Sequence, residues 1–393
     1  MPVFSPFPGI RYTTDPLVEV TAPPYDVIDA EQRAALCAQH EHNVVRVDMP
    51  VAEDGPDPYA AASATFEHWR VQGVLADDPP ALYPYRMTAT DEDGTVRCTL
   101  GVLGALGIGP QARADVLPHE HTTPKAHSDR LSLLRATKAN LSAIWALSLT
   151  EGLTALLDLD AAEAVDRWDD EDGVTHELWR MDDPAGVKAI CEAIGATPLV
   201  IADGHHRYST CLIHADEAGA PTGADATLCL VVELVADQLT VQPIHRLLAG
   251  LPTGHDPATE LSAAFEIGPR EPHPDAAVVR RLVAERALAL VDAEGMRLLR
   301  PRTDSGPGVV EPLDSVRVAT AVDALPDHEI SYQHGVAHAV SAVRSGRADA
   351  AILLRPVSVD QIRATAQARG LMPPKSTFFY PKPRTGTVFR TLG

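Results

Sequence analysis

The strongest constraint in this 393-residue chain is the stretch Leu199-Val200-Ile201-Ala202-Asp203-Gly204-His205-His206-Arg207-Tyr208. An apolar run of strand length stops at an Asp-Gly pair, and helical periodicity begins at once. Tyr208, Cys211, Leu212 and Ala215 stand at i, i+3, i+4 and i+7. Upstream, Asp183-Pro184 opens a helix that turns Val187, Ile190 and Ile194 inward and stops at Gly195. Helix, buried strand, tight turn and helix make a unit of an α/β (α+β) fold with a mixed sheet. The polar residues gather at the carboxyl end of the strand, where open α/β sheets place their ligands. A glycine admits backbone close to a ligand, and the next helix offers unpaired N–H groups and a positive dipole end. Gly204, His205, His206 and Arg207 crowd that point, and phosphate is the ligand they suit best. The same residues also fit a plain turn, with His206 and Arg207 in an exposed first helical turn.

Elsewhere the pattern is that of a large globular protein with more than one lobe. Residues 1–250 are expected to form the phosphate-binding or nucleotide-binding core, 251–330 an accessory α+β lobe, and 331–393 a β/α unit returning to the core. Within the core, Asp29 and Gln32 make a capping box for a helix to about residue 40. Residues 43–48 read as a strand, Asp57-Pro58 as the start of a helix, and 81–108 as a hairpin turning at Asp93-Gly94. The acidic run 169–172 reads as a solvated loop. Further on, a hairpin is expected around Glu294-Gly295, a helix over 331–345, and a helix opened by Ser358 and Gln361.

A formal charge of −21 argues against nucleic-acid and anionic-membrane partners, which need a basic face. No apolar stretch approaches a membrane span and the first residues show no signal-peptide pattern, so a cytoplasmic location is expected. Cys37, Cys98, Cys191, Cys211 and Cys229 match no metal or disulfide spacing and read as reduced core residues. His119-Glu120-His121 is not H-E-x-x-H, and adjacent His205 and His206 poorly suit one ion, so no transition-metal site is expected. If phosphate is bound, magnesium held by phosphates and one carboxylate fits better. There is neither a G-x-S-x-G elbow nor a Walker A loop.

Four blocks carry a resemblance: Ala22-Pro23-Pro24-Tyr25-Asp26-Val27-Ile28, His119-Glu120 through Arg130, Ala202 through Tyr208, and Met372 through Lys382. In this order they resemble a widespread bacterial domain family of unknown function with an A-D-G-H-H-R-Y signature. Asp-Gly-His-His-Arg is more distantly similar to the phosphate-binding turn of the ParB/sulfiredoxin-like fold, whose members include partition proteins, sulfiredoxin and archaeal free-serine kinases. His205 stands where sulfiredoxin has its cysteine, which removes sulfinic-acid reduction.

The resemblance implies phosphoryl transfer between ATP or ADP, with Mg2+, and a small hydroxyl metabolite, serine or phosphoserine first. Gly204, His205, His206 and Arg207 would cradle phosphate, with Lys125 and Arg130 adding charge. Glu120, then Asp203, is the candidate for orienting the attacking hydroxyl, with His206 also in the catalytic set. Tyr25, Asp26, His119, Lys375 and Ser376 complete the expected substrate site. The alternatives are a phosphoserine-type phosphatase and a nucleotide-binding regulatory protein without turnover. The partner is a small molecule, and a homodimer is compatible with the sequence.

Overall fold

The computed structural model describes residues 1–13, 16–91, 94–109, 112–118, 127–157, 159, 163–219, 223–302 and 312–392. They divide into two compact units. One comprises residues 1–89, 97–238 and 381–393; the other comprises 90–96 and 239–380. The second unit is therefore wider than the expected lobe. It takes in residues 331–380, and only the last stretch of the chain returns to the first unit.

The first unit is built on a nine-stranded mixed sheet. Leu199–Asp203 pairs in parallel with Val116–Pro118 and antiparallel with Ile144–Ser148. The sheet continues through Ala226–Glu233, Val96–Gly107, Tyr83–Thr90, Thr175–Leu178 and Asp166–Asp169, with Phe4–Ser5 on Val96–Gly107. Leu199, Val200, Ile201 and Ala202 are all buried, as a strand covered on both faces requires. The helix Pro184–Gly195, capped by Asp183 onto the Gly186 N–H (2.6 Å), buries Ile190 and Ile194 against this sheet. The helix His205–Ala218 adds Tyr208 and Cys211 to the same core. A smaller antiparallel sheet runs Leu75–Asp77, Gly9–Tyr12, Phe389–Thr391, Ala139–Asn140.

Four local expectations change. Residues 43–48 are not a strand: Val45–Asp48 is a helical turn. The Asn43 side chain decides this. Its Oδ1 accepts from the Val45 N–H (3.0 Å), and its Nδ2 donates to the carbonyls of Glu19 (2.7 Å) and Thr21 (3.2 Å). A cap fixed by tertiary contacts outweighs the β preference of three valines. Asp170 is no solvated loop acid, because His176 and Arg384 both bind its Oδ2. The expected helix over 331–345 begins instead as the strand Glu329–His334; Gly335, at φ 80°, turns the chain into the helix Val336–Arg344. Cys98 is exposed, and Cys37 and Cys191 are half-buried, leaving Cys211 and Cys229 in the core.

The second unit is a six-stranded antiparallel sheet, ordered Phe265–Glu271, Gly295–Pro301, Leu288–Asp292, Ala350–Leu353, Ile244–Ala249, Glu329–His334. Strict alternation gives it two faces. Ala289, Val291, Met296, Leu298, Ala351 and Leu353 pack with the helices Val278–Ala284 and Val336–Arg344. Leu288, Leu290, Leu299, Ala350 and Ile352 pack with Ala258–Leu261 and Asp314–Val322. Among the described residues no helix is long and apolar enough to cross a membrane.

Candidate active site

The Asp-Gly turn shapes the site. Gly204 adopts φ 88°, ψ 28°, a left-handed conformation that costs other residues more. A Cβ there would lie 3.1–3.2 Å from the guanidinium of Arg207, which folds back over the glycine. The helix begins at His205, and the Tyr208 N–H closes its first turn on the Gly204 carbonyl (2.9 Å). Gly204 has no side chain with which to cap the fourteen-residue helix, whose amino end carries the positive end of the dipole.

Arg207 is not the exposed cation that the sequence suggests. Its side chain is 11% exposed; Nη2 donates to Asp203 Oδ2 (2.6 Å) and Nη1 donates to the Ala143 carbonyl. The other oxygen of Asp203 accepts from Lys382 Nζ (2.7 Å). Lys382 also reaches Asp26 Oδ2 at 3.3 Å. Burial alone would raise the Asp203 carboxyl, but Lys382 and Arg207 outweigh it and hold it well below the usual carboxylate range. Burial likewise opposes the charge on Lys382, and Asp203 and Asp26 more than restore it. Each oxygen of Asp203 thus accepts from one cation, and both cations favour its ionised form. It organises two cations and is poorly placed to take a proton.

A second ion pair lies beside the first. Arg130, 9% exposed, donates from Nη1 to the Asp48 carbonyl (2.7 Å) and Asp48 Oδ1 (3.2 Å), and from Nε to Asp129 Oδ2 (2.8 Å). Its guanidinium stacks 4.3 Å from the Tyr25 ring centre, a cation–π contact. Burial pushes the Asp48 carboxyl up, against the pull of Arg130 and Arg207. Burial also raises the Tyr25 hydroxyl, with Arg207 and Arg130 pulling the other way.

The fold thus gathers Tyr25, Asp26, Arg130, Asp203, Gly204 and Arg207 from sequence positions far apart; His205 and His206 sit half-buried on the turn. His119, Glu120 and Lys125 lie outside the described residues. Lys375 and Ser376 belong to the second unit. There the Lys375 carbonyl accepts from Arg246 (3.1 Å), and the buried Ser376 hydroxyl is shared with Ser315 (2.9 Å) and donates to the Pro373 carbonyl (2.7 Å). Among the described residues no three His, Cys, Asp or Glu side chains are grouped to hold a metal ion.

Sequence reading missed Lys382 and Asp48. Lys382 stands between Pro381 and Pro383, an extended segment whose one long cation was the available signal. Asp48 was hidden by the misread strand.

No curated protein matches the sequence. Among solved structures, a conserved hypothetical protein from Pyrococcus furiosus is 13% identical, covering 71% of this chain and 90% of its own, with a TM-score of 0.36. A free serine kinase in complex with AMP is 14% identical over 74% of this chain and 91% of its own, with a TM-score of 0.40. SbnI with a C-terminal truncation, from Staphylococcus aureus, is 12% identical over 72% and 84%, with a TM-score of 0.39. The sequence itself matches the family described as "Protein of unknown function (DUF1015)" over residues 4–325, and the chain belongs to that family.

Proposed function

We propose that this protein transfers a phosphoryl group between a nucleotide and a small hydroxyl metabolite at the Asp203–Arg207 turn, on a ParB/sulfiredoxin-like core. One observation supports the reading above the rest. Arg207 and Lys382, the latter 179 residues from Asp203, converge on that carboxylate at the amino end of a helix opened by a left-handed glycine. Two held cations and a helix dipole form a ready anion cradle. Phosphoryl transfer asks the protein mainly for positioning and charge neutralisation, not for a covalent nucleophile.

In this reading Gly204, His205, His206, Arg207 and Lys382 hold the phosphates of ATP or ADP. Both oxygens of Asp203 are engaged by cations, so Mg2+ is carried by the phosphates. Glu120 is the proposed group that takes the proton of the attacking hydroxyl; Asp203 is reassigned from that role to holding Arg207 and Lys382. With ATP, the acceptor oxygen bonds to the γ-phosphorus, the bond to the β–γ bridging oxygen breaks and ADP leaves; with ADP, it bonds to the β-phosphorus, the bond to the α–β bridging oxygen breaks and AMP leaves. Serine is the first acceptor to test. The proposed protein acts in the cytoplasm, alone or as a homodimer, without nucleic-acid or membrane partners.

The test is calorimetry with ADP and ATP beside steady-state turnover with serine. Lys382→Met is expected to weaken nucleotide binding about tenfold to a hundredfold. Glu120→Gln is expected to bind normally and turn over at least about a hundredfold more slowly. Unchanged nucleotide affinity in Lys382→Met sinks the cradle. Binding without turnover in the wild type, with serine or phosphoserine, leaves a nucleotide-binding regulator.

A further inference from the structure

Apart from the turn, the first unit encloses a chain of polar side chains that ends two residues from Lys382. It begins at Tyr85, on the strand Tyr83–Thr90, and runs through His176 and Asp170 to Arg384. Tyr85, His176 and Arg384 are all buried, and no step of the proposed reaction uses them. The Tyr85 and Trp168 rings stack on the His176 imidazole, with ring centres 5.9 Å and 5.1 Å away. Burial pushes the Tyr85 hydroxyl up and the imidazole down. A neutral ring therefore accepts at Nδ1 from the tyrosine O–H (2.7 Å) and donates from Nε2 to Asp170 Oδ2 (2.9 Å). Burial opposes the charge on Asp170, but His176, the Val174 N–H and Arg384 outweigh it and hold the carboxyl below its usual range.

Arg384 is where this chain meets the backbone of the site. Its Nη1 donates to Asp170 Oδ2 (3.4 Å) and Glu171 Oε2 (2.9 Å). On its other side, Nε donates to the Thr21 hydroxyl (3.1 Å) and Nη2 to the Thr21 carbonyl (3.3 Å). One residue further along each segment, the Ala22 N–H donates to the Thr385 carbonyl (3.1 Å) and the Thr385 N–H to the Ala22 carbonyl (2.8 Å). Residues 21–26 and 382–385 are thus tied side by side. The first segment ends at Asp26 and the second begins at Lys382, and these two side chains meet at 3.3 Å beside Asp203. Pro23, Pro24 and Pro383 restrict the backbone between the tie and these tips.

Lysine is a point charge on a flexible four-carbon stem, so where Lys382 sits depends on where its backbone is held. A buried ion network adds little stability over apolar packing. A planar guanidinium with four acceptors on two other segments does fix geometry. We propose that Arg384 is a positioning residue of the candidate site: from its anchor on Asp170 and Glu171, it holds Lys382 and Asp26 in the places from which they meet at Asp203. That these places serve nucleotide phosphates rests on the function proposed above; that Arg384 sets them does not.

The experiment combines amide hydrogen exchange, read by mass spectrometry, with ADP calorimetry on the full chain. Arg384→Gln is expected to speed exchange at Ala22 and Thr385 by about tenfold or more and to leave the helix His205–Ala218 as in the wild type. Lys382→Met should leave Ala22 and Thr385 protected. Each of the two variants is expected to weaken ADP binding about tenfold or more. The double variant should bind no more weakly than Lys382→Met alone, because both act through one lysine. Tryptophan fluorescence reports whether each variant is folded. Should Arg384→Gln not fold, Thr21→Val removes only the hydroxyl that Arg384 Nε meets. It should move the same two amides and weaken ADP binding severalfold, and Thr21→Ser should restore both. Additive losses in the double variant, wild-type protection of Ala22 and Thr385 in Arg384→Gln or Thr21→Val, or exchange that rises throughout the first unit overturns the proposal. A wild type that binds no ADP sinks the nucleotide reading, and the exchange result then decides for or against Arg384 by itself.

Discussion

The two units differ in how much charge they enclose. Beside exposed pairs such as Arg135 with Glu217, the first encloses several: Arg130 on Asp48, Arg207 and Lys382 on Asp203, and Arg384 on Asp170, the last two side chains 3% and 7% exposed. In the second, arginines meet acids mostly along the rim, as in Arg281 with Glu271 and Glu285, Arg300 with Glu285, and Arg270 with Asp292. One pair there, Arg355 on Asp314, is comparably enclosed. The clusters on the two faces of its sheet are apolar, with Phe265 among the aliphatic side chains, although His245 and Arg246 of the same sheet are also buried. A buried ion pair adds little stability over an apolar replacement, because desolvation cancels much of the attraction. Retaining several of them beside a cleft marks the first unit as the place of the candidate site, whereas a region that keeps most of its charges outside is organised for packing.

The contrast can be broken experimentally, because all four tryptophans, Trp69, Trp145, Trp168 and Trp179, belong to the first unit. Tryptophan fluorescence therefore follows that unit, and circular dichroism adds the second. The largest effect is expected from Asp203→Asn, which strands two buried cations at once. Removing one partner of a buried pair costs about 3–5 kcal/mol, so the tryptophan transition in urea should move to markedly lower denaturant. An unmoved midpoint would place Arg207 and Lys382 in water, and the contrast would fail.

A smaller effect is expected from acid. His245 is fully buried in the second unit, and its Nδ1 accepts from the Leu354 N–H (3.2 Å). Burial, reinforced by Arg246 and His334, pushes its imidazole down to about 3. The ring stays neutral in the folded state and takes a proton on unfolding below about pH 6.5. This group's stabilising effect is thus complete above about pH 6.5 and declines as pH falls toward 3. His245→Gln should flatten that part of the acid slope in the dichroism signal and leave the tryptophan signal alone. A tryptophan response equal to the dichroism response would show that the units do not melt separately. The smallest effect belongs to Arg281→Gln on the rim, where exposed pairs contribute little. Its midpoint should coincide with that of the wild type, and a clear loss would move the rim into the class of the enclosed pairs.

How much of this was legible beforehand depends on how far each feature reaches along the chain. The capping boxes at Asp29/Gln32 and Ser358/Gln361 are three-residue devices, and both form as written. The strand Leu199–Asp203, its turn and its helix are likewise local, and so is the hairpin at Glu294-Gly295. The site is local only in part. Arg207 was visible, but its partner on the far side of Asp203 is separated from it by the whole second unit. Asp48 was misplaced because three valines argue for a strand, and the Asn43 cap that overrules them depends on carbonyls more than twenty residues away. Local chemistry gave the turn its shape, and distant chain supplied the second cation on Asp203.

The strand Phe389–Thr391 lies between Gly9–Tyr12 and Ala139–Asn140, and Lys382 enters with the same returning segment. During synthesis on the ribosome, every residue of the inserted unit is made before that strand emerges. The first unit waits with a gap in its small sheet and one cation missing from its carboxylate. A nascent chain, or one clipped by a protease after residue 380, can therefore hold a finished second unit and an unfinished site. The protein is in effect its own timer: Asp203 gains its second cation only after the inserted unit has been translated.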